Sequence, residues 1–277
     1  MTQAGAVLCG AVKLHIRKEL GRWLALLLAV GCRPDAEVEP RAPPVFSSEP
    51  AARAPATLEP VAVVELFTSE GCVNCPRADR VAHTLVQWAQ QAGSRVYLLS
   101  YHVDYWNGMG HIDRFSSPVF SARQQWYLDR WGRVRAYTPQ VIVGGTDERA
   151  GADAPGIGRS VLAALRQPAN VGVALEVWRA ERSIEVRYVI EPAHHRDYVT
   201  MALVQDTAET HVRSGENAGL RLEHVDLVRD AAWASVGTGE GTWGVELPRD
   251  YSSGHVVAYV QQAHTLRVLG AQRVPIR

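Results

Sequence analysis

The pair Cys72 and Cys75, set where an apolar run hands over to a helical pattern, constrains this chain more than any other feature. Val61 to Phe67 reads as a buried strand. A short turn follows, then the two cysteines, Pro76, and apolar residues at Ala78, Val81, Ala82, Leu85 and Ala89, the spacing of one helix face. Cys72 therefore falls at the strand-to-helix junction, with Cys75 in or just before the first turn. Unpaired N–H groups and the helix dipole favour an anion there. A thiolate so placed can have its pKa lowered from about 8.5 into the range of roughly 3.5 to 7.5. This is the chemistry of a redox dithiol, with Cys72 expected to be the more exposed sulfur and Cys75 the more covered. Half of a zinc site is the competing reading. It wants a second ligand pair, yet no cysteine lies downstream of Cys75, and His194 and His195 are adjacent rather than spaced. A structural disulfide or two inert thiols remain open.

The N-terminus carries an address. Lys13, Arg17, Lys18 and Arg22 precede the apolar run Trp23 to Val30, which is too short to span a bilayer. Gly31-Cys32 then has the form of a lipoprotein processing site, with Cys32 as the lipidated residue. Residues 1–32 are thus expected to be a lipoprotein-type signal peptide, ordinary cleavage being the alternative. In that case the protein is anchored by lipid on the extracytoplasmic side of a bacterial envelope, or otherwise secreted. Cys72 and Cys75 would be the cysteines left to pair in an oxidising compartment. Residues 33–60, rich in Pro, Ala and Glu, read as an extended tether.

From Val61 the pattern is strand, helix to about Gln91, strand Val96 to Val103, helix Pro118 to Trp131, strand near Gln140 to Val143, and helix from about Pro155 to Arg166. This order predicts an α/β layer over 61–168. Beyond Pro168 the period changes to two: Val171, Val173, Leu175 and Val177, then Ile184, Val186, Tyr188 and Ile190, with further short strands to Val260. That predicts an all-β sandwich-like domain over 169–277. Composition bounds the partners. Lysine plus arginine equals aspartate plus glutamate, 29 each, which argues against a nucleic-acid footprint.

The strand–CxxC–helix opening and Thr138-Pro139 ahead of a strand resemble the thioredoxin fold. The resemblance implies that Pro139 is cis and faces the dithiol, with Thr138 and Pro139 positioning a partner chain. It also implies a buried acid on the strand before the cysteines, for which Glu65 is the candidate proton carrier, although one residue out of the usual place. A narrower likeness runs through Glu65 to Pro76, His102-Val-Asp-Tyr-Trp106, Ser117 to Gln124, Tyr137-Thr-Pro-Gln140 and Gly215-Glu-Asn-Ala-Gly219. These motifs are similar to those of the bacterial secreted family called domain of unknown function 1223. That family implies a thioredoxin-like α/β domain followed by a β-rich part, and no settled activity.

His102 and Asp104 end a strand, where open sheets bind ligands. They are candidates for an acid/base pair or for metal ligation with the thiolates, against a plain hydrogen-bonded pair that fixes the next loop. Tyr105 and Trp106 are candidates to line a substrate groove, Gly215 to Gly219 reads as a turn needing a special backbone shape, and His224 is expected to pack. The leading expectation is a membrane-tethered thiol–disulfide oxidoreductase acting on extracytoplasmic proteins or small thiols without a cofactor. A copper-handling protein using the same cysteines with His102, or a non-catalytic binding scaffold, are the alternatives.

Overall fold

The structure is a computed structural model and describes residues 49–276. Cys9, Cys32 and the signal-peptide reading lie outside the described residues, as does the tether up to residue 48. The rest of that stretch is not all tether: β1 (Ala52–Ala54) pairs with a strand of the C-terminal half.

The chain then forms β2 (Ala62–Thr68), α1 (Cys75–Gln91), β3 (Val96–His102), α2 (Pro118–Trp131), β4 (Gln140–Val143), β5 (Asp147–Ala150) and α3 (Ala154–Ala164). Strands follow: β6 (Gly172–Arg179), β7 (Ser183–Glu191), β8 (Tyr198–His211), β9 (Arg221–Ser235), β10 (Glu240–Glu246), β11 (Gly254–Gln261) and β12 (Val268–Ile276). The helix ends follow local chemistry. In α2 the Ser117 side chain accepts from the Val119 N–H, Pro118 opens the first turn, and Gly132 closes the helix at φ 64°.

Two sheets result, a small one in the order β1-β6-β7-β10 and a large one in the order β12-β11-β8-β9-β3-β2-β4-β5. The large sheet overturns the expected α/β thioredoxin-like domain followed by a separate sandwich. Strands from both sides of residue 168 form one hydrogen-bonded sheet, joined where β3 runs parallel to β9 at Ser100 and Leu227. Ser100 Oγ donates to the Val225 carbonyl at 2.8 Å and fastens the seam. Periodicity reports that a strand has two faces, but not which strand lies at its edge. The β-rich reading of the C-terminal part does fit.

Alternation sorts the core. Val63 and Phe67 of β2, Ala202 and Val204 of β8, and Val257 and Tyr259 of β11 share one face with Phe120 and Tyr127 of α2. On the opposite face, Val64 and Leu66 pack with Ala78 and Ala82 of α1 and Ile157 and Val161 of α3. Further along that face, Met201, Leu203, Val256 and Ala258 pack against Val173, Leu175 and Val186 of the small sheet. Helices α1 and α3 thus cover one end of the large sheet, and the small sheet covers the other.

Candidate functional site

Cys72 and Cys75 are joined in a disulfide with Cα atoms 5.3 Å apart. Both are buried, at 1% and 0% exposure, so the expectation of an open Cys72 beside a covered Cys75 is not what the oxidised protein shows. Cys75 is the first residue of α1, and its N–H donates to the Cys72 carbonyl at 3.1 Å. No side chain caps this helix, and Pro76 brings no N–H. The positive end of α1 therefore lies beside the sulfurs without a competing anion at the cap.

The loop before the cysteines is held from far along the chain. Asn217 Nδ2 donates to the carbonyls of Glu70 at 2.8 Å and Cys72 at 3.0 Å. Asn217 sits in the Gly215–Gly219 turn between β8 and β9. Both glycines have positive φ, 78° and 87°, and a Cβ on Gly215 would stand 3.1 Å from His111 Cβ. The special backbone shape read from this motif serves to deliver Asn217 under the cysteines.

Beneath the disulfide loop lies a buried charge cluster. Glu70 accepts from His111 Nε2 at 2.7 Å and His224 Nε2 at 3.1 Å, and its own N–H donates to Asp113 Oδ2 at 2.9 Å. Asp113 Oδ2 also holds His102 Nδ1 at 2.6 Å. Burial by itself would depress His102, but the charge and hydrogen bond of Asp113, with Asp79 and Glu70 beyond, raise its pKa above the ordinary 6.5. Burial likewise opposes ionisation of Asp113, yet His102 and the amides of Glu70 and Phe115 bring its pKa down to about 2. Glu70 ends below its ordinary value because the histidines outweigh burial and the repulsion of Asp113. Asp79, one turn after Cys75 on α1, goes the other way. Burial keeps its pKa raised despite the nearby histidines and a hydrogen bond from Thr68 Oγ1 at 3.0 Å. His102 Nε2 is buried without a hydrogen-bond partner, and its ring meets that of His224 edge-on at 4.7 Å.

This arrangement reassigns several candidates. His102 is engaged by Asp113, whereas Asp104 receives the Ser121 hydroxyl. The sequence reading paired His102 with the carboxylate two residues away, and the true partner is eleven residues on, after the loop turns back. Glu65 lies on the β2 face away from α1. There Arg123 Nε donates to it at 2.9 Å, Tyr259 donates at 2.9 Å, and the Tyr127 hydroxyl adds a third bond. It is the anion of a fully buried ion pair that ties α2 to the sheet, not a group beside the sulfurs. His224, expected only to pack, is a member of the cluster. Asp113, Glu70 and Asn217 were missed because each acts through the fold of a loop rather than through local spacing. His194 and His195 are exposed.

Thr138-Pro139 is a cis peptide. A Cβ built on Gly151 would stand 2.7 Å from Pro139 Cβ and 2.8 Å from Ala78 Cβ, so the proline ring faces α1 just past Cys75 across this glycine. The Trp106 indole N–H donates to Thr138 Oγ1 at 2.7 Å, and Trp106 Cβ stands 3.3 Å from where a Gly71 Cβ would be. Trp106 thereby bridges the cysteine loop and the Thr138-Pro139 turn. Tyr105 is 41% exposed and donates to Gln124 Oε1. Among the described residues, the three-residue group with metal-ligating atoms within 4.8 Å of one another is Asp206, Asp226 and His255, and not the cysteines with His102.

Residues 63–261 match the family described as "Protein of unknown function (DUF1223)". The chain belongs to this family. A crystal structure of a protein from Agrobacterium tumefaciens is similar to it, at 30% identity over 78% of this chain and 95% of the other, with a TM-score of 0.56. No curated protein matches. The match spans the disulfide, the cluster and the Asn217 turn, so the family's extent includes every part of the site.

Proposed function

We propose that this member of the DUF1223 family is a thiol–disulfide exchange protein working through Cys72 and Cys75. The observation that carries the reading is the Cys72–Cys75 disulfide at the uncapped start of α1, directly above a buried cluster able to hold protons. Exchange with two thiols of a partner breaks the Cys72–Cys75 bond and forms one disulfide in the partner. The partner's two thiol protons end on Cys72 and Cys75, so electrons and protons balance. Cys72, outside the helix, is the sulfur attacked by the partner or attacking it, and Cys75 resolves the mixed disulfide. Since both sulfurs are buried, protons reach them through side chains. Asp79, raised in pKa and one turn from Cys75, and His102, raised in pKa by Asp113, are the groups we assign to handle them. Thr138, Pro139 and Trp106 form the lip on which a partner chain would rest. The basic and apolar N-terminal segment ending at Gly31-Cys32 supports a lipid-anchored, extracytoplasmic location, where thiol-bearing and disulfide-bearing proteins are the partners.

The test is trapping. Cys75→Ser should accumulate mixed disulfides with partner proteins on non-reducing gels, Cys72→Ser few, and the double variant none. If no variant traps a partner, and the wild-type disulfide resists reduction by a thioredoxin-strength dithiol, the pair is structural and the reading fails.

A further inference from the structure

Helices α1 and α3 leave a cleft of about 680 Å³ between them, within the ~300–1,000 Å³ range of small-molecule sites. Its walls are apolar: Val81, Leu85 and Trp88 from α1, and Ile157, Val161 and Leu162 from α3. Trp88 is 38% exposed and Leu162 46%, so the cleft presents large apolar side chains that the fold leaves uncovered. Gly158 keeps the α3 wall open, since a Cβ there would meet nothing within 4 Å. Arg77 and Arg80 line the cleft near the start of α1, and among the described residues neither guanidinium has a carboxylate partner. At 1.5 Å of rise per residue, Arg80 and Trp88 stand about 12 Å apart along the helix. The cleft is thus polarised, cationic at one end and apolar along its length.

We infer that this cleft binds a single-chain amphiphile with a carboxylate head, of the fatty-acid type. Arg77 and Arg80 would take the carboxylate, and the tail would run towards Trp88. Guanidinium groups pair with carboxylate oxygens in matched, charge-assisted hydrogen bonds. A phosphate head would call for further donors, and the remaining hydroxyl on this rim, Thr84 Oγ1, already donates to the Arg80 carbonyl. Covering the exposed Trp88 and Leu162 supplies the apolar part of the binding free energy. The inference does not depend on the redox reading, because neither cysteine lines the cleft.

Dodecanoate, titrated into the full-length protein below its micelle concentration, should bind at one site by calorimetry and change tryptophan fluorescence. Arg77→Gln/Arg80→Gln should weaken dodecanoate at least tenfold while changing dodecanol less than twofold. Gly158→Phe, which grows into empty space, should weaken both at least tenfold with the circular dichroism and the disulfide's redox titration unchanged. Should that variant misfold, Leu162→Glu at an already exposed position must give the same loss. The inference is overturned if dodecanoate fails to saturate, if dodecyltrimethylammonium binds as well, or if the filled cleft still binds. Tighter binding of dodecyl phosphate overturns the carboxylate assignment. These readouts involve no thiol chemistry, so their failure and the failure of the redox proposal are separate events.

Discussion

The side-chain amide of Asn217 donates to the carbonyl oxygen of Cys72 at 3.0 Å across a sequence separation of 145 residues. With its second bond to Glu70, this one amide serves two buried carbonyls of the loop that carries Cys72. The donor comes from the turn between β8 and β9 and not from the residues around the cysteines.

Asn217→Ala is therefore expected to leave the buried Glu70 carbonyl unpaired, and the Cys72 carbonyl with the Cys75 N–H alone, and to destabilise the protein by about 1–3 kcal/mol. It should also free the cysteine loop. Urea unfolding and the rate of disulfide reduction by dithiothreitol check the two effects together. An unfolding midpoint and a reduction rate equal to wild type would remove Asn217 from the site.

Glu65 and Arg123 make a different prediction. Both are buried, at 1% and 0% exposure, and Arg123 also reaches Tyr259 at 3.0 Å and Gln261 at 2.6 Å. Arg123→Leu strands a buried carboxylate and should cost about 3–5 kcal/mol. Because Glu65 faces away from α1, Glu65→Gln should lower stability yet leave the reduction potential of Cys72–Cys75 within a few millivolts of wild type, on a scale where ~30 mV is tenfold in equilibrium. A shift of that size in Glu65→Gln would restore Glu65 as a partner of the sulfurs.

The buried cluster sets a pH profile. Asp113, held at about 2, stabilises the fold fully above its ordinary 3.8, and that contribution is lost as pH falls towards 2. Glu70, also lowered, acts in the same direction. His102 is raised, so its contribution is complete below 6.5 and disappears as pH climbs through its folded value. Asp79, raised as well, costs stability as pH rises above 3.8. Urea midpoints should peak on the acid side of neutrality. Asp113→Asn should flatten the acid limb and lower the pKa of His102 by proton NMR. A wild-type midpoint climbing steadily from pH 5 to pH 8 contradicts this assignment.

Trp106 closes the approach between Gly71 and Thr138. Trp106→Ala should uncover the disulfide and speed its reduction by a small dithiol several-fold, while a protein partner, deprived of the lip, should react more slowly. Parallel rate measurements with dithiothreitol and with a reduced thioredoxin distinguish this from general loosening, which would accelerate both.

Much of the scaffold was legible from residues 61 to 190. The α1 face Ala78, Ala82 and Ala89 is buried as its spacing implied, and α2 begins at Pro118 and ends at Trp131 where the pattern placed it. The short β5, Asp147 to Ala150, carries no apolar alternation and escaped notice. So did the seam between Ser100 and Leu227, because backbone pairing at a strand edge leaves no mark on side-chain periodicity. In the site, the cysteines, Pro139 and Trp106 announced themselves through local motifs. Asp113 and His224 did not, since their relation to His102 and Glu70 arises only once a loop and a distant hairpin have closed on each other.

The reach from Cys72 to Asn217 also has a meaning in time. A chain emerging from its N-terminus exposes both cysteines long before the hairpin that buries them has been made. Until residue 217 has been made, the loop that carries the pair lacks the amide that later holds it. The surroundings of the disulfide are consequently completed in the last third of synthesis, and a truncated chain ending before residue 217 would carry the motif without the amide that holds its loop.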